Sequence, residues 1–125
     1  MFENADLIHR YTRAEAIADG VLIDVSATAK EAGFKYPVAL TAAAWARCVA
    51  VPQGVLGQDE AGRLWDVLTM LRYALRRQGG AEVRFGVHVR NDNRERTPPL
   101  VRLKALCGLG DRGEPVLTVL MPDED

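Results

Sequence analysis

The apolar residues change their spacing once in this chain, at Gln78-Gly79-Gly80, and that change limits what it can fold into. Before it, Leu64, Trp65, Val67, Leu68, Leu71, Ala74 and Leu75 recur at i, i+3, i+4 and i+7, the signature of a helix with one buried stripe. Arg63, Asp66, Arg72, Arg76 and Arg77 fall mostly on the other side. Asp59 stands where a side-chain cap is needed, and the closing arginines suit the negative end of the helix dipole. After it, Val83, Phe85, Val87 and Val89 alternate with Glu82, Arg84, Gly86 and His88, the period of a half-buried strand. An amphipathic helix running into an amphipathic strand has two apolar faces to bury, and packing a helix on a sheet buries both.

The same alternation continues downstream. Val101, Leu103 and Ala105 are interleaved with Arg102 and Lys104, and a further strand over 116–121 follows the turn Gly108-Leu109-Gly110-Asp111-Arg112-Gly113. Short connections favour antiparallel pairing. Residues 90–99 form a long polar loop ending in Pro98-Pro99, and Asp123-Glu124-Asp125 reads as a solvated acidic tail over about 122–125.

The elements ahead of the long helix are short. Thr12 and Glu15 have the spacing of a capping box, opening a helix that runs to Asp19 and stops at Gly20. Residues 21–25, Val-Leu-Ile-Asp-Val, read as a buried strand interrupted by one acid. Ser26 or Thr28 caps a second helix through Ala32, ended by Gly33, and residues 34–37 are extended because the residue before Pro37 avoids the helical region. Thr41 caps a third helix from Ala42 to about Ala50, closed by Pro52 and Gly54. The expected fold is α+β: short helices and one strand, a long amphipathic helix, then an antiparallel sheet with that helix on one face. The strand over 21–25 is free to join the sheet.

With 125 residues, 48% hydrophobic and 26% charged, the chain suits one globular domain spanning 1–125 and excludes a disordered chain, a collagen-like or coiled-coil rod and a disulfide-built scaffold. Residues 1–6 lack the basic and apolar regions of a secretory signal, and no apolar run reaches the ~20 residues of a membrane span, so a cytoplasmic location without membrane association is expected. Cys48 and Cys107 are expected to be reduced, packed thiols, and Trp45 and Trp65 core anchors. His9 and His88 lack ligand spacing, so neither a metal nor a cofactor is expected.

The net charge of −1 hides a strong asymmetry. Residues 63–104 carry 10 basic and 4 acidic side chains, against a net −3 over 1–62 and −4 over 105–125. On the expected hairpin, Arg84, His88, Arg102 and Lys104 share one side of the sheet, and Arg90, Arg94 and Arg96 extend it into the loop beside Asn91 and Asn93. Such a surface neutralises phosphates or carboxylates. Only Glu82, Asp92 and Glu95 oppose it, and no stacking aromatics are interleaved as in a single-strand platform.

The pattern Leu7-Ile8-His9-Arg10-Tyr11-Thr12-Arg13-Ala14-Glu15-Ala16-Ile17-Ala18-Asp19-Gly20 continues through Ala32-Gly33-Phe34-Lys35-Tyr36-Pro37. Together with Val101-Arg102-Leu103-Lys104-Ala105-Leu106-Cys107-Gly108-Leu109-Gly110-Asp111 and the ending Met121-Pro122-Asp123-Glu124-Asp125, it resembles an uncharacterised family of small proteins encoded on bacterial plasmids, integrated elements and phages. Members of that family usually have Gly-Pro-Gly-Asp where Leu109 here replaces the proline. The resemblance implies an accessory role in a mobile element. The expected function is non-enzymatic binding of a host macromolecule, in defence modulation or plasmid maintenance, through Arg84, Arg90, Arg94, Arg96, Arg102 and Lys104. The partner is a host protein or a nucleic acid, and a homodimer stays open.

Two alternatives accompany this expectation. Residues 7–22 are also similar to the opening of ADP-ribosyltransferase folds, which implies catalytic roles for His9 and Tyr11, with Glu114 the nearest candidate for a terminal acid and Asp24 close to the same constellation. The other alternative is a sequence-independent nucleic-acid binder, its affinity set by phosphate neutralisation. The 108–113 turn has amides that could cradle an anion, but it lacks the following helix and Lys-Ser/Thr pair of a nucleotide loop, and a tight hairpin is the simpler reading. Cys107 beside it has no evident activating base.

Overall fold

A computed structural model describes residues 11–125. In chain order they form helix α1 (Arg13–Ala18), strand β1 (Leu22–Asp24), helix α2 (Ser26–Glu31), strand β2 (Val38–Thr41), helix α3 (Ala42–Cys48), helix α4 (Glu60–Arg77) and strands β3 (Glu82–His88), β4 (Leu100–Leu109) and β5 (Pro115–Leu120). The α+β class and the long helix packed on the sheet are as the periodicity predicts.

The local signals act as physical chemistry requires. The Thr12 hydroxyl accepts from the Glu15 amide and the Glu15 carboxylate accepts from the Thr12 amide, both at 3.0 Å, closing the box that starts α1. Gly20 ends that segment at φ +77°, a left-handed conformation that side chains with a Cβ resist. Gly33 does the same after α2 at φ +98°, and a Cβ there would stand 3.1 Å from the Arg72 guanidinium. Thr41 caps α3 through the Ala44 amide, and Asp59 caps α4 through the Gly62 amide at 2.6 Å. The start of α2 departs from expectation. Val25 precedes it without a side-chain cap, while the Asp24 carboxylate accepts from the Ser26 amide and the Ser26 hydroxyl lies against the main chain of Val38.

The strands form one sheet in the order β1-β2-β5-β4-β3. Three pairings are antiparallel, and β2 runs parallel to β5, with Val38 opposite Leu117 and Leu40 opposite Val119. The sequence reading places no strand over 38–41. Every residue of β2 is buried, so its four positions carry no alternation, and such a short uninterrupted run has neither the helical nor the strand period. The strand near 21–25 is shorter than expected and lies at the sheet edge with Val21 half exposed, so it is not a buried strand.

The core lies between one sheet face and helices α2, α3 and α4. Val67, Leu68 and Leu71 of α4 are fully buried against Val83, Phe85, Leu103 and Val119. Helix α1 lies on the opposite face, where the Arg13 guanidinium donates to the Thr118 hydroxyl at 2.7 Å and the Leu117 carbonyl at 2.8 Å. The C-terminal residues are not a free solvated tail: Glu124 Oε1 accepts from the Thr41 hydroxyl and the Met121 amide, each at 2.7 Å. Two assignments within α4 are also corrected. Trp65 is 39% exposed rather than a core anchor, because it stands at the rim of the stripe, while Arg63 is 5% exposed rather than on the solvated side.

These burials set a stability test. Leu68→Ala should cost about 2–5 kcal/mol in urea unfolding, the range for truncating a buried leucine, and Trp65→Ala less than about 1 kcal/mol, as for a surface change.

Candidate binding surface

Strands β3 and β4 pair so that Arg84 stands opposite Lys104 and Gly86 opposite Arg102. The alternation of buried positions puts Arg84, Arg102 and Lys104 side by side on the sheet face turned away from α4. Arg102 is exposed. The Arg84 guanidinium meets Glu82 at 2.8 Å, an exposed pair whose attraction water largely screens. Lys104 is on the expected side of the sheet but does not face water: it is 8% exposed. Strand β4 is an interior strand, and Arg84 and Leu120 flank Lys104 on its two neighbours, so its stem is covered. It has no hydrogen-bond or ion-pair partner among the described residues. His88 belongs to the same face, but its Nδ1–H donates to the Pro98 carbonyl at 2.7 Å, which fixes the ring to the loop.

The loop cations are arranged differently. Arg90 donates to the carbonyls of Arg94 and Arg96, and Arg96 pairs with Asp92 at 2.9 Å. The Arg94 amide, then the Arg96 side chain, hold the Asp92 carboxyl below its usual range. The loop folds toward the helical layer. Asn91 donates to the Arg47 carbonyl at 3.1 Å, and Asn93 donates to the Gly54 carbonyl and accepts from the Leu56 amide.

The residue that anchors this arrangement is one the sequence reading passed over. Arg63 donates from Nε to the Cys48 carbonyl at 3.1 Å, and from its two terminal nitrogens to the Arg90 carbonyl and Asn91 Oδ1, each at 2.7 Å. Burial lowers its pKa, yet a guanidinium stays charged at neutral pH. The available signal was its position: Arg63 is four residues before Val67 and eight before Leu71, on the apolar stripe itself.

The six candidate cations therefore fall into two groups. Arg84 and Arg102 flank a cavity of about 170 Å³ with Gly86 and Pro122. Arg90 and Arg94 line a separate hollow of about 330 Å³ with Leu56, Asn93 and Glu95.

A third cavity, about 590 Å³, lies between α1 and the β4–β5 turn and is lined in part by Tyr11, Arg13, Leu22, Leu109 and Asp111. The turn is the tight hairpin expected from its glycines, closed by the Gly110 amide on the Glu114 carbonyl and the Gly113 amide on the Gly110 carbonyl. Its own Asp111 carboxylate accepts from the amides of Arg13 and Ala14 at 2.8 and 3.0 Å, fastening the start of α1. Those two amides hold the Asp111 carboxyl below its usual range. The Tyr11 hydroxyl donates to Asp19 at 2.9 Å, and the Glu114 carboxylate accepts from the Arg112 amide while lying over Gly110. His9 lies outside the described residues, and Asp24 is occupied at the start of α2.

Among the described residues no group of three His, Cys, Asp or Glu side chains is placed to hold a metal ion, and no helix is long and apolar enough to cross a membrane. Both cysteines are free: Cys48 is buried, which pushes its thiol up to about 11, and Cys107 is half buried.

A family of unknown function, DUF6573, matches residues 1–125, and the chain belongs to it. No curated protein and no solved structure matches the chain.

Two measurements follow. Iodoacetamide at pH 7.5 should label Cys107 well before Cys48, read by mass spectrometry of the folded chain, because only the thiolate reacts and burial disfavours it at Cys48. A carboxyl whose folded pKa is depressed adds stability above its unfolded pKa of about 4 that is lost as pH falls through the folded value. Urea midpoints should therefore drop as pH is lowered below about 4. In Asp111→Asn the midpoint should be lower at neutral pH and its acid dependence flatter.

Proposed function

We propose that the chain is a non-catalytic accessory protein of a mobile genetic element that occupies an acidic surface of a host protein. The mobile-element setting is supported by the resemblance carried in residues 7–41 and 101–125. A role in modulating host defence or maintaining a plasmid fits that setting, and two free thiols suit the reducing bacterial cytoplasm.

The observation that carries the binding reading is the cation set of the β3–β4 face. Arg84, Arg102 and Lys104 are adjacent in register, and neither Arg102 nor Lys104 has a counter-ion among the described residues. A covered ammonium between arginines concentrates positive potential, and an anionic group from a partner would relieve it. A protein is favoured over a nucleic acid by what lies across the free edge of β3. Exposed Met70 and Tyr73 of α4 border the same strand, and Arg77 stands over the Tyr73 ring at 5.3 Å from its centroid. Tyrosine, methionine and arginine together are the composition enriched at protein interfaces. The transferase alternative has no such support: the Tyr11 hydroxyl and the Glu114 carboxylate are both occupied by neighbouring groups.

The test is capture from host lysate by the tagged full chain. Replacing Arg84 and Arg102 together by Glu should reduce recovery of the specific partner on the order of tenfold, as for charge reversal at an interface, with the melting temperature unchanged because both side chains are exposed. Undiminished capture by the double variant overturns the proposed surface. Capture abolished by nuclease treatment transfers the reading to nucleic acid.

A further inference from the structure

The outer edge of β3, the last strand of the sheet, is closed at one residue. Arg84 directs its amide and carbonyl away from β4, and both are taken by the side chain of Gln78: the Arg84 amide donates to Gln78 Oε1 at 3.0 Å, and Gln78 Nε2 donates to the Arg84 carbonyl at 2.7 Å. A primary amide thus occupies the place where a neighbouring strand would put a peptide group. In an antiparallel ladder alternate residues point the same way, so Gly86 and His88 also turn their main-chain groups outward. The Ala81 carbonyl and the Val89 amide fix the phase from the other side, since the Cys107 amide donates to the Ala81 carbonyl and the Val89 amide to the Pro99 carbonyl. No main-chain partner covers Gly86 or His88 on the outer side among the described residues.

Two cavities meet at this edge. On the helix side lies one of about 480 Å³, lined by Met70, Tyr73, Ala74 and Arg77 of α4 and by Gln78, Arg84, Phe85 and Gly86. On the opposite side lies the cavity of about 170 Å³ flanked by Arg84 and Arg102, with the Leu100 side chain leaning over Gly86. Successive side chains of a strand point to opposite faces. Anything paired to the edge of β3 would therefore present alternate side chains to a hollow where Met70, Tyr73 and Phe85 offer apolar surface beside Arg77 and Gln78, and to a basic one flanked by Arg84 and Arg102.

We infer that β3 accepts an extended segment of the partner protein as a sixth strand, its apolar side chains entering the Met70–Tyr73 hollow and its alternate acidic side chains meeting Arg84 and Arg102. This inference rests on the proposed function, because it takes the partner to be an acidic protein, and it adds the mode of binding. Main-chain hydrogen bonds at Gly86 and His88 supply part of the affinity, and the two hollows supply the pattern. Gln78 sets the register by closing the position at Arg84. Glu82, bonded to Arg84, disfavours an acidic side chain beyond that end of the edge. Exposed edges of this kind are ordinarily protected, and here the protection stops after one residue.

The experiment selects a displayed library of random twelve-residue peptides against the full chain, then remakes the strongest binder with N-methyl groups on alternate amides, one strand edge at a time. The expected selection alternates acidic and apolar residues. N-methylation of one edge should weaken binding at least tenfold and of the other leave it unchanged, and amide resonances of Gly86 and His88 should shift on binding. Selected peptides that tolerate N-methylation on both edges yet lose binding to the Arg84→Glu, Arg102→Glu double variant overturn strand addition and leave the basic surface standing. Binding indifferent to both changes overturns both. A selection without alternation, or with no enrichment, overturns strand addition alone, since capture of the intact partner measures the surface separately.

Discussion

The buried guanidinium of Arg63 is the interaction on which the packing of the 90–99 loop and the end of β3 depends. From the start of α4 it reaches the carbonyl end of α3, the carbonyl of Arg90 and the side chain of Asn91, adding a polar tie to segments that also share the hydrophobic core. A positive charge placed there makes no ion pair among the described residues; three oxygen acceptors take its hydrogen bonds, and the charge of Asp66 also favours it. Arginine suits that duty because its planar fork serves several acceptors and it keeps its charge when covered. With the start of the 90–99 loop fixed in this way, the end of β3 is fixed too.

The sheet shows how one surface came to be free. Its inner face is covered by α2, α3 and α4, while its outer face is covered unevenly. Helix α1 and the docked Glu124 occupy the part around β1, β2 and β5, through Arg13 on Thr118 and Glu124 on Thr41. Among the described residues the β3–β4 half is left to its own side chains, the cations Arg84, Arg102 and Lys104 with Glu82, His88 and Leu100. An uncovered half-sheet ending in an unpaired edge is a feature that folded chains tend to suppress, and its retention beside a charged face and an exposed aromatic helix flank is the basis of the functional proposal.

The 108–113 turn illustrates the opposite outcome. Its glycines and acid suggest an anion cradle or a motif, yet the turn uses its charge internally. Asp111 satisfies the first free amides of α1, and Gly110 leaves space for the Glu114 carboxylate, since a Cβ there would stand 2.5 Å from it. Fastening α1 across the sheet is a sufficient physical reason for Gly110 and Asp111. The exposed Leu109 takes no part in that fastening, in keeping with the departure from proline at this position.

Much of the local structure was legible in the residues themselves. The period of α4, the alternation of β3 and β4, the Thr12–Glu15 box and the Thr41 and Asp59 caps depend on neighbours within a turn or two, and nearby chemistry settles them. The basic content of 63–104 was equally plain, as was the side of the sheet that Arg84, Arg102 and Lys104 share. The tertiary structure decided what depends on meetings between distant segments: β2 beside β5, Asp111 on an amide 98 residues earlier, Arg63 drawn inward, Lys104 covered, and the loop cations turned away from the sheet cations. The reason is that periodicity tells a side chain which way to face, while burial and pairing depend on what else arrives there, and that is fixed only when the whole chain packs.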